Sequence, residues 1–596
     1  MSDRYPEFTR TAEFENGSAT PLTRTGRTLG CVSQHRKHGQ QGQHRRRTAA
    51  EAVKRRRVLI AAVAAGVLVA ASGVSLGLWA SSDGDGSPAG STAASAGQTP
   101  GGRDEEGAAP GKSPSPSPSR TYPLSKAPRT IPSVRDHTAE RGPGWRPAKD
   151  HRVVVTDPAL ADEGRLIAGE LGLAYAGEKG DQRDGDLRLE LNRGSGANPE
   201  SYTMTVRGGR VTVTAPAEAG VFYGTRTLKQ EIKGAGTAPE GVVRDEPAKQ
   251  RRGLMLDTAR KFYTAGWIED RIRELGDLKY NEIGLHFSDD QGFRIASDSH
   301  PEIVSEQHLT KAQVKKIVDL AESRHITVVP EIDSPGHLGA VIAAHPDLQL
   351  RNAGGGAVRG AIDISDPGSA EIVDDLLNEY AGLFPGGQWH LGADEYQALV
   401  VSDPEASFPG LAAAARDKYG PDATVEDLTT GWLNDRAATV RAHDRTPRAW
   451  NDGFFRGGSV PAAKDIQVAY WTGKEIGARP PVEYLSEGRK VINYNDEFLY
   501  YVLGEPLTFV YPTGERIYEQ WTPLVLRGTT PVPDRYDAQI LGGSFAVWGD
   551  IPRAQTQDQV AAGIRLPLAA TVQKLWDPDR PELSWEQFRA LADKVD

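Results

Sequence analysis

Asp394 and Glu395 stand side by side at the end of the run Gln388–Trp389–His390–Leu391–Gly392–Ala393–Asp394–Glu395–Tyr396. The apolar start reads as a short buried strand, and Gly392 as the break that ends it and presents both acids. Two adjacent carboxyls repel each other, so at least one is expected to have a raised pKa and to keep its proton near neutrality. A protonated acid beside an ionised one is the equipment for splitting an acetal bond. A surface Asp-Glu pair at a helix start is the plainer reading of the dipeptide alone, and the rest of the chain decides between the two.

Eight short apolar runs recur in the C-terminal part: Gly253–Leu256, Glu282–Phe287, Ile326–Glu331, Gln388–Leu391, Pro447–Trp450, Ile466–Tyr470, Lys490–Asn493 and Ile540–Phe545. Helical patterns such as Thr310–Ser323 and Ser369–Leu383 fall between them, which predicts alternating βα units closed into a (β/α)8 barrel. Working residues of such a barrel cluster just past the C-terminal ends of its strands. In order, those ends supply Asp257 and Arg260, then Asp289 and Asp290, then Glu331 through His337, then Asp394 and Glu395. The last four supply Trp450, Trp471, Tyr494 with Asp496, and Trp548 with Asp550. Polar and aromatic groups at all eight ends are more than packing explains.

Ahead of the barrel, Arg152–Thr156, Asp186–Leu191, Tyr202–Val206 and Arg210–Thr214 read as strands, the last two joined across Gly208-Gly209. Ala159–Leu171 and Gly220–Ile232 read as helices, so a small α+β sandwich is expected, without catalytic features. The predicted divisions are a disordered basic tail over 1–57, an apolar span over 58–80, a Ser/Gly/Pro spacer over 81–120, the α+β domain over 121–247 and the barrel over 248–596. The span Val58–Ala80 carries no charge and is long enough for one transmembrane helix, which takes roughly 20 residues. Lys54–Arg57 before it fixes the near side as cytoplasmic. The expectation is a single-pass membrane anchor with the catalytic part outside the cytoplasm; a cleaved secretory signal is the alternative.

The formal charge of −10 is uneven: residues 1–57 carry +8, leaving −18 for the rest. An acidic catalytic part excludes nucleic acid as the expected partner. Cys31 is the single cysteine, so neither a disulfide framework nor a thiolate metal site is available. His337 and His390 lie on different loops without zinc-ligand spacing, and no metal or other cofactor is expected.

Four motifs stand in order: Arg252–Arg260 (RGLMLDTAR), Ser288–Arg294 (SDDQGFR), Pro330–His337 (PEIDSPGH) and His390–Glu395 (HLGADE). Together they resemble glycoside hydrolase family 20, the β-N-acetylhexosaminidases, over about residues 121–596. The resemblance implies a retaining, substrate-assisted mechanism, an exception to the two-carboxylate scheme. Glu395 would be the general acid and Asp394 the brace for the sugar's own 2-acetamido group, which attacks C1. Arg260 would grip ring hydroxyls, and His337 with Asp289 would tune the acid. Trp432, Trp450 and Trp548 would wall the sugar, with Trp471 beside them. Tyr494 and Asp496 would form the family's Tyr-x-Asp, the tyrosine donating to the acetamido carbonyl. Asp290 and Asp333 read as structural. Where the family usually has Glu after Trp548-Gly549, this chain has Asp550, one methylene shorter. That leaves open a lacto-N-biosidase-like enzyme accepting a disaccharide, beside removal of a terminal N-acetylhexosamine from an oligosaccharide or glycoconjugate. A non-catalytic glycan-binding protein is the remaining alternative.

Overall fold

The computed structural model describes residues 121–178, 182–194, 196–474, 478–579 and 582–596. The tail, the apolar span and the spacer expected over 1–120 lie outside the described residues. Among those described, no helix is long and apolar enough to cross a membrane.

Residues 136–245 build a seven-stranded mixed sheet in the spatial order Asp136–Ala139, Gly241–Asp245, Tyr202–Arg207, Arg210–Ala215, Leu187–Leu191, Arg152–Val155 and Ala174–Gly177. Alternation sets its inner face: Tyr202, Met204 and Val206 point inward on one strand, and Val211, Val213 and Ala215 on the next. The helices Ala161–Leu171 and Glu218–Ala235 cover it. The sandwich is as expected, although three of its strands (Asp136–Ala139, Ala174–Gly177 and Gly241–Asp245) carry too little patterning to be read from sequence.

Eight parallel strands then close on themselves: Arg251–Asp257, Glu282–His286, Thr327–Glu331, Gln388–His390, Thr446–Trp450, Gln467–Tyr470, Val491–Asn493 and Ile540–Trp548. The eighth pairs with the seventh on one side and with the first on the other, from Gly542↔Arg251 to Val547↔Leu256. The strands are covered on both faces, which is why they appear in the sequence as continuous apolar runs. Met255, Trp450, Ala469, Ile492, Tyr494, Ala546 and Trp548 fill the interior. After the second and the eighth strand, Thr310 and Thr556 open helices with reciprocal caps from Gln313 and Gln559, each worth about 1 kcal/mol. The fifth and sixth strands are joined without an α-helix. A further strand, Tyr500–Val502, adds to the rim by pairing with Ala546–Trp548.

The small domain is bonded to the barrel at the end where strands begin. Arg252, fully buried at the start of the first strand, reaches Glu200 at 2.8 and 2.9 Å. Lys279, also fully buried, donates to Thr227 and Tyr202 at 2.8 and 3.1 Å, and its Nζ lies 3.4 Å from Asp245. Burial pulls Lys279 down to about 8 despite Asp245. Trp576, from the last barrel helix, packs in the small domain's core and donates to Asp245 at 2.9 Å. The opposite, C-terminal face stays free for the site.

Candidate active site

The fourth strand ends at His390, and the chain then takes a left-handed course: Gly392 has φ +68, Ala393 +75 and Glu395 +48. Such conformations cost on the order of 1–3 kcal/mol each for residues other than glycine and persist only where the surroundings hold them. Asp333 does so by accepting the Ala393 N–H at 2.9 Å, and Asp452 by accepting the Glu395 N–H at 2.9 Å. Gly392 is required here, because a Cβ would lie 1.6 Å from Asp333 Oδ1. The turn carries both acids to the barrel mouth, where the Asp394 side chain is 16% exposed and that of Glu395 is 40% exposed.

His337 lies between them. Its Nε2 is 3.7 Å from Asp394 Oδ2 and 3.4 Å from Glu395 Oε2, and its Nδ1 is 3.4 Å from Asp289. Asp289 is in turn 2.7 Å from Arg260 and 3.1 Å from His286. Asp257 fixes the arginine, accepting from Arg260 Nη1 at 3.0 Å and from Arg260 N at 2.9 Å. Beneath this layer Glu331 is buried against His286 (2.9 Å) and His390 (3.2 Å) and accepts from Trp450 Nε1 at 2.7 Å. Burial alone would lower His286, but Glu331 and Asp289 raise it to about 10, so it is cationic.

The acids divide sharply. Burial and the adjoining Asp333 carboxyl push Asp394 well above the carboxylate range, and burial pushes Asp333 up to about 7. These two carboxyls share a proton. Glu395 goes the other way, lowered by its hydrogen bond with His337. Burial opposes a charged His337, but Asp394 and Asp289 lift it well above its ordinary value. These directions favour the proton on the Asp394–Asp333 pair over Glu395, and the charged form of His337 beside Glu395.

Asp333 supplies a test. The folded protein holds this proton more tightly than the unfolded chain, whose aspartate has its ordinary value of 3.8. The resulting stabilisation is fully present below about pH 4 and is lost as pH rises through 7. Relative to Asp333→Asn, which cannot ionise, wild-type stability is expected to fall by on the order of 4 kcal/mol over that window. Urea midpoints of both proteins at pH 4 to 8 check this; a constant difference would contradict it.

One wall is aromatic. Trp548 lies 5.8 Å from Trp450 and 5.6 Å from Tyr500 between ring centroids, and Tyr500 stacks on Trp471 at 5.8 Å and 5°. Trp471 Nε1 donates to Asp452 at 2.9 Å. Trp548 Nε1 is buried without a hydrogen-bond partner among the described residues, a polar position left for a ligand.

Arg260, Asp289, His337, Asp394, Glu395, Trp450, Trp471 and Trp548 thus come together. Trp432 is set one layer back, its Nε1 donating to Ser334 at 3.1 Å. Asp550 is exposed past the eighth strand and interacts electrostatically with Arg260. The Tyr-x-Asp pair expected from sequence is held by protein groups. Tyr494 points down the barrel, its hydroxyl engaged with Arg448 and Ser544. Asp496 is taken up by Lys474 at 2.6 Å. Tyr500 is buried beside Trp471 and Trp548, and after burial itself Asp394 is the strongest influence raising its hydroxyl. Asp333, read as structural, is Asp394's direct partner. Asp290 is structural, holding Gly339 N at 3.2 Å and Arg359 at 3.0 Å. Asp452, His286 and Glu331 belong to the site without having been assigned a role from sequence.

The molecule is thus a (β/α)8 barrel with paired acids at its mouth and a seven-stranded α+β domain beneath it. Residues 250–578 match the model of the glycosyl hydrolase family 20 catalytic domain, and residues 127–246 match the same family's domain 2. The chain belongs to glycosyl hydrolase family 20. Among curated relatives, it is 29% identical over 476 residues to a lacto-N-biosidase of Bifidobacterium bifidum, a match covering 78% of this chain and 41% of that one. It is also 29% identical to a β-hexosaminidase of Vibrio furnissii, covering 65% and 67%. The chain thus spans about two fifths of the length of the first of these relatives. The solved β-hexosaminidase of Streptomyces plicatus shares the fold, with a TM-score of 0.63 at 24% identity over 80% of this chain and 95% of that one.

Proposed function

We propose that the chain is a retaining exo-glycosidase that removes terminal β-linked N-acetylhexosamine through an oxazolinium intermediate. The observation that carries this reading is the pair of adjacent acids held on one left-handed turn at the barrel mouth, with His337 Nε2 3.7 and 3.4 Å from their carboxylates. In the first step the carbonyl oxygen of the sugar's acetamido group bonds to C1 while the C1–O bond to the leaving group breaks. Glu395 delivers a proton to that leaving oxygen. It is ionised in the free site, but a bound sugar shields its exposed carboxylate from water and raises it, and His337 Nε2 lies close enough to load it. As positive charge develops on the acetamido nitrogen, the proton shared by Asp394 and Asp333 settles on Asp333. Asp394 is then left as the anion that offsets the cation. In the second step water attacks C1 and gives its proton to Glu395, the C1–O bond to the acetamido oxygen breaks to return the neutral amide, and the β configuration is restored. The nucleophile arrives already tethered, so the protein's share is orientation.

Tyr500 donates to the acetamido carbonyl in this scheme. Tyr500→Phe is expected to lower kcat/KM roughly 10- to 100-fold, as for a hydrogen bond to a charged group, while Tyr494→Phe leaves it within a few-fold. Parallel kinetics on a chromogenic N-acetylglucosaminide decide between the two tyrosines. A thiazoline mimic of the oxazolinium ring tests the mechanism as a whole: tight competitive inhibition supports it, whereas indifference to the mimic points to an ordinary two-carboxylate glycosidase.

Asp550 supports a second reading, release of a disaccharide in the manner of a lacto-N-biosidase. Its side chain is one methylene shorter than glutamate and leaves room beside Arg260. Hydrolysis rates on GlcNAc-, GalNAc- and lacto-N-biose-terminated chromogenic substrates distinguish the readings. The apolar span at 58–80 supports a catalytic part outside the cytoplasm, anchored or secreted.

A further inference from the structure

The loop after the second barrel strand and the loop after the third meet away from the acids, at His300, Glu302 and His345. Glu302 Oε1 lies 3.1 Å from His300 Nδ1 and 2.9 Å from His345 Nε2. One ligand atom from each of the three residues lies within 4.8 Å of the others. The second nitrogen of His300, Nε2, is 3.3 Å from Asp375 Oδ2, on the helix Pro367–Ala381. Each ring nitrogen of His300 thus faces a carboxylate, Nδ1 that of Glu302 and Nε2 that of Asp375. A metal takes the Nδ1 lone pair and leaves Nε2–H donating to Asp375, the carboxylate–histidine–metal arrangement that orients ligating imidazoles.

We propose that His300, Glu302 and His345 form a binding site for a zinc-class divalent cation, with Asp375 as the positioning residue for His300. The two carboxylate–imidazole separations, 3.1 and 2.9 Å, are close to the edge of a tetrahedron, about 3.3 Å, built on metal–ligand bonds of about 2.0–2.1 Å, and the two imidazoles lie within 4.8 Å of each other. Two imidazoles and one carboxylate select zinc, cobalt, nickel or copper over magnesium and calcium, which prefer all-oxygen sites. The site is also held in place independently of any metal. One turn along the same helix from Asp375, Glu379 accepts from Asp298 N at 2.7 Å and Ser299 N at 3.1 Å, fixing the approach to His300. An ion here ties together the loops that carry Asp289 and His337 without entering the route of the reaction.

The test uses the full chain, stripped with a chelator and dialysed, then titrated with Zn2+ alone by calorimetry and with Co2+ by visible absorption. One equivalent is expected to bind, with the intense cobalt bands of a four-coordinate site and a rise in Tm. His345→Ala and Glu302→Gln, both at surface positions, are expected to weaken zinc at least tenfold, and Asp375→Asn about 10- to 100-fold. Mg2+ and Ca2+ are expected to leave Tm unchanged. Asp333, His337 and Asp394 also lie within 4.8 Å of one another, so His337→Ala is the control. Zinc lost with His337→Ala but retained by His345→Ala would overturn the proposal, as would no binding by the wild type or equal affinity in all variants.

Discussion

Glu395→Gln lowers kcat on an N-acetylhexosaminide with a poor leaving group by roughly two to four orders of magnitude, the range of general acid catalysis. Glutamine keeps the shape of the side chain, and the contact that holds the turn, the Glu395 N–H to Asp452, is made by the backbone. The fold is therefore expected to survive, with unchanged circular dichroism and a Tm within a few degrees. The loss should depend on the substrate. An aryl glycoside whose leaving group departs without a proton escapes most of the first-step penalty, while a sugar leaving group bears all of it. A uniform loss across leaving groups would mean that Glu395 acts by position and not by proton transfer.

Asp394→Ala removes the anionic brace and is expected to cost about 10²- to 10³-fold in kcat, as for removal of a charge-stabilising group. The acetamido group then turns freely, and the developing cation faces only the Asp333 carboxyl across a gap. Asp394→Asn is the sharper variant, because it preserves volume and removes the charge. Wild-type turnover by either variant would end the substrate-assisted scheme. The acid pair also predicts separated pH profiles: the limb of kcat that falls as pH rises should lie at higher pH than that of kcat/KM. The first reports Glu395 covered by sugar, and the second reports it paired with His337 and open to water.

The barrel was legible because its strands are buried on both faces, and each therefore leaves a continuous apolar run ending in polar residues. The acid pair was legible for the same reason, since Gly392 follows such a run directly. Tyr500 was not, because it depends on the three-residue strand Tyr500–Val502 docking on the rim, a pairing in space without local pattern. Tyr494 stands at the right distance from its strand end, yet the pleat turns it inward toward Arg448. Asp333 was visible as a carboxylate in PEIDSPGH, but its contact with a turn 60 residues away is invisible to spacing. Asp496 looked free for substrate because nothing in the sequence says that Lys474 reaches it.

The junction beneath the barrel has a practical corollary for anyone trimming this protein. Cutting away residues 121–247 would strip Arg252 of Glu200 and Lys279 of Asp245, and would bare the indole of Trp576. Two stranded cations and an exposed aromatic surface are a recipe for insolubility, so a minimal catalytic fragment has to keep the domain that lies on the far side of the barrel from the acids.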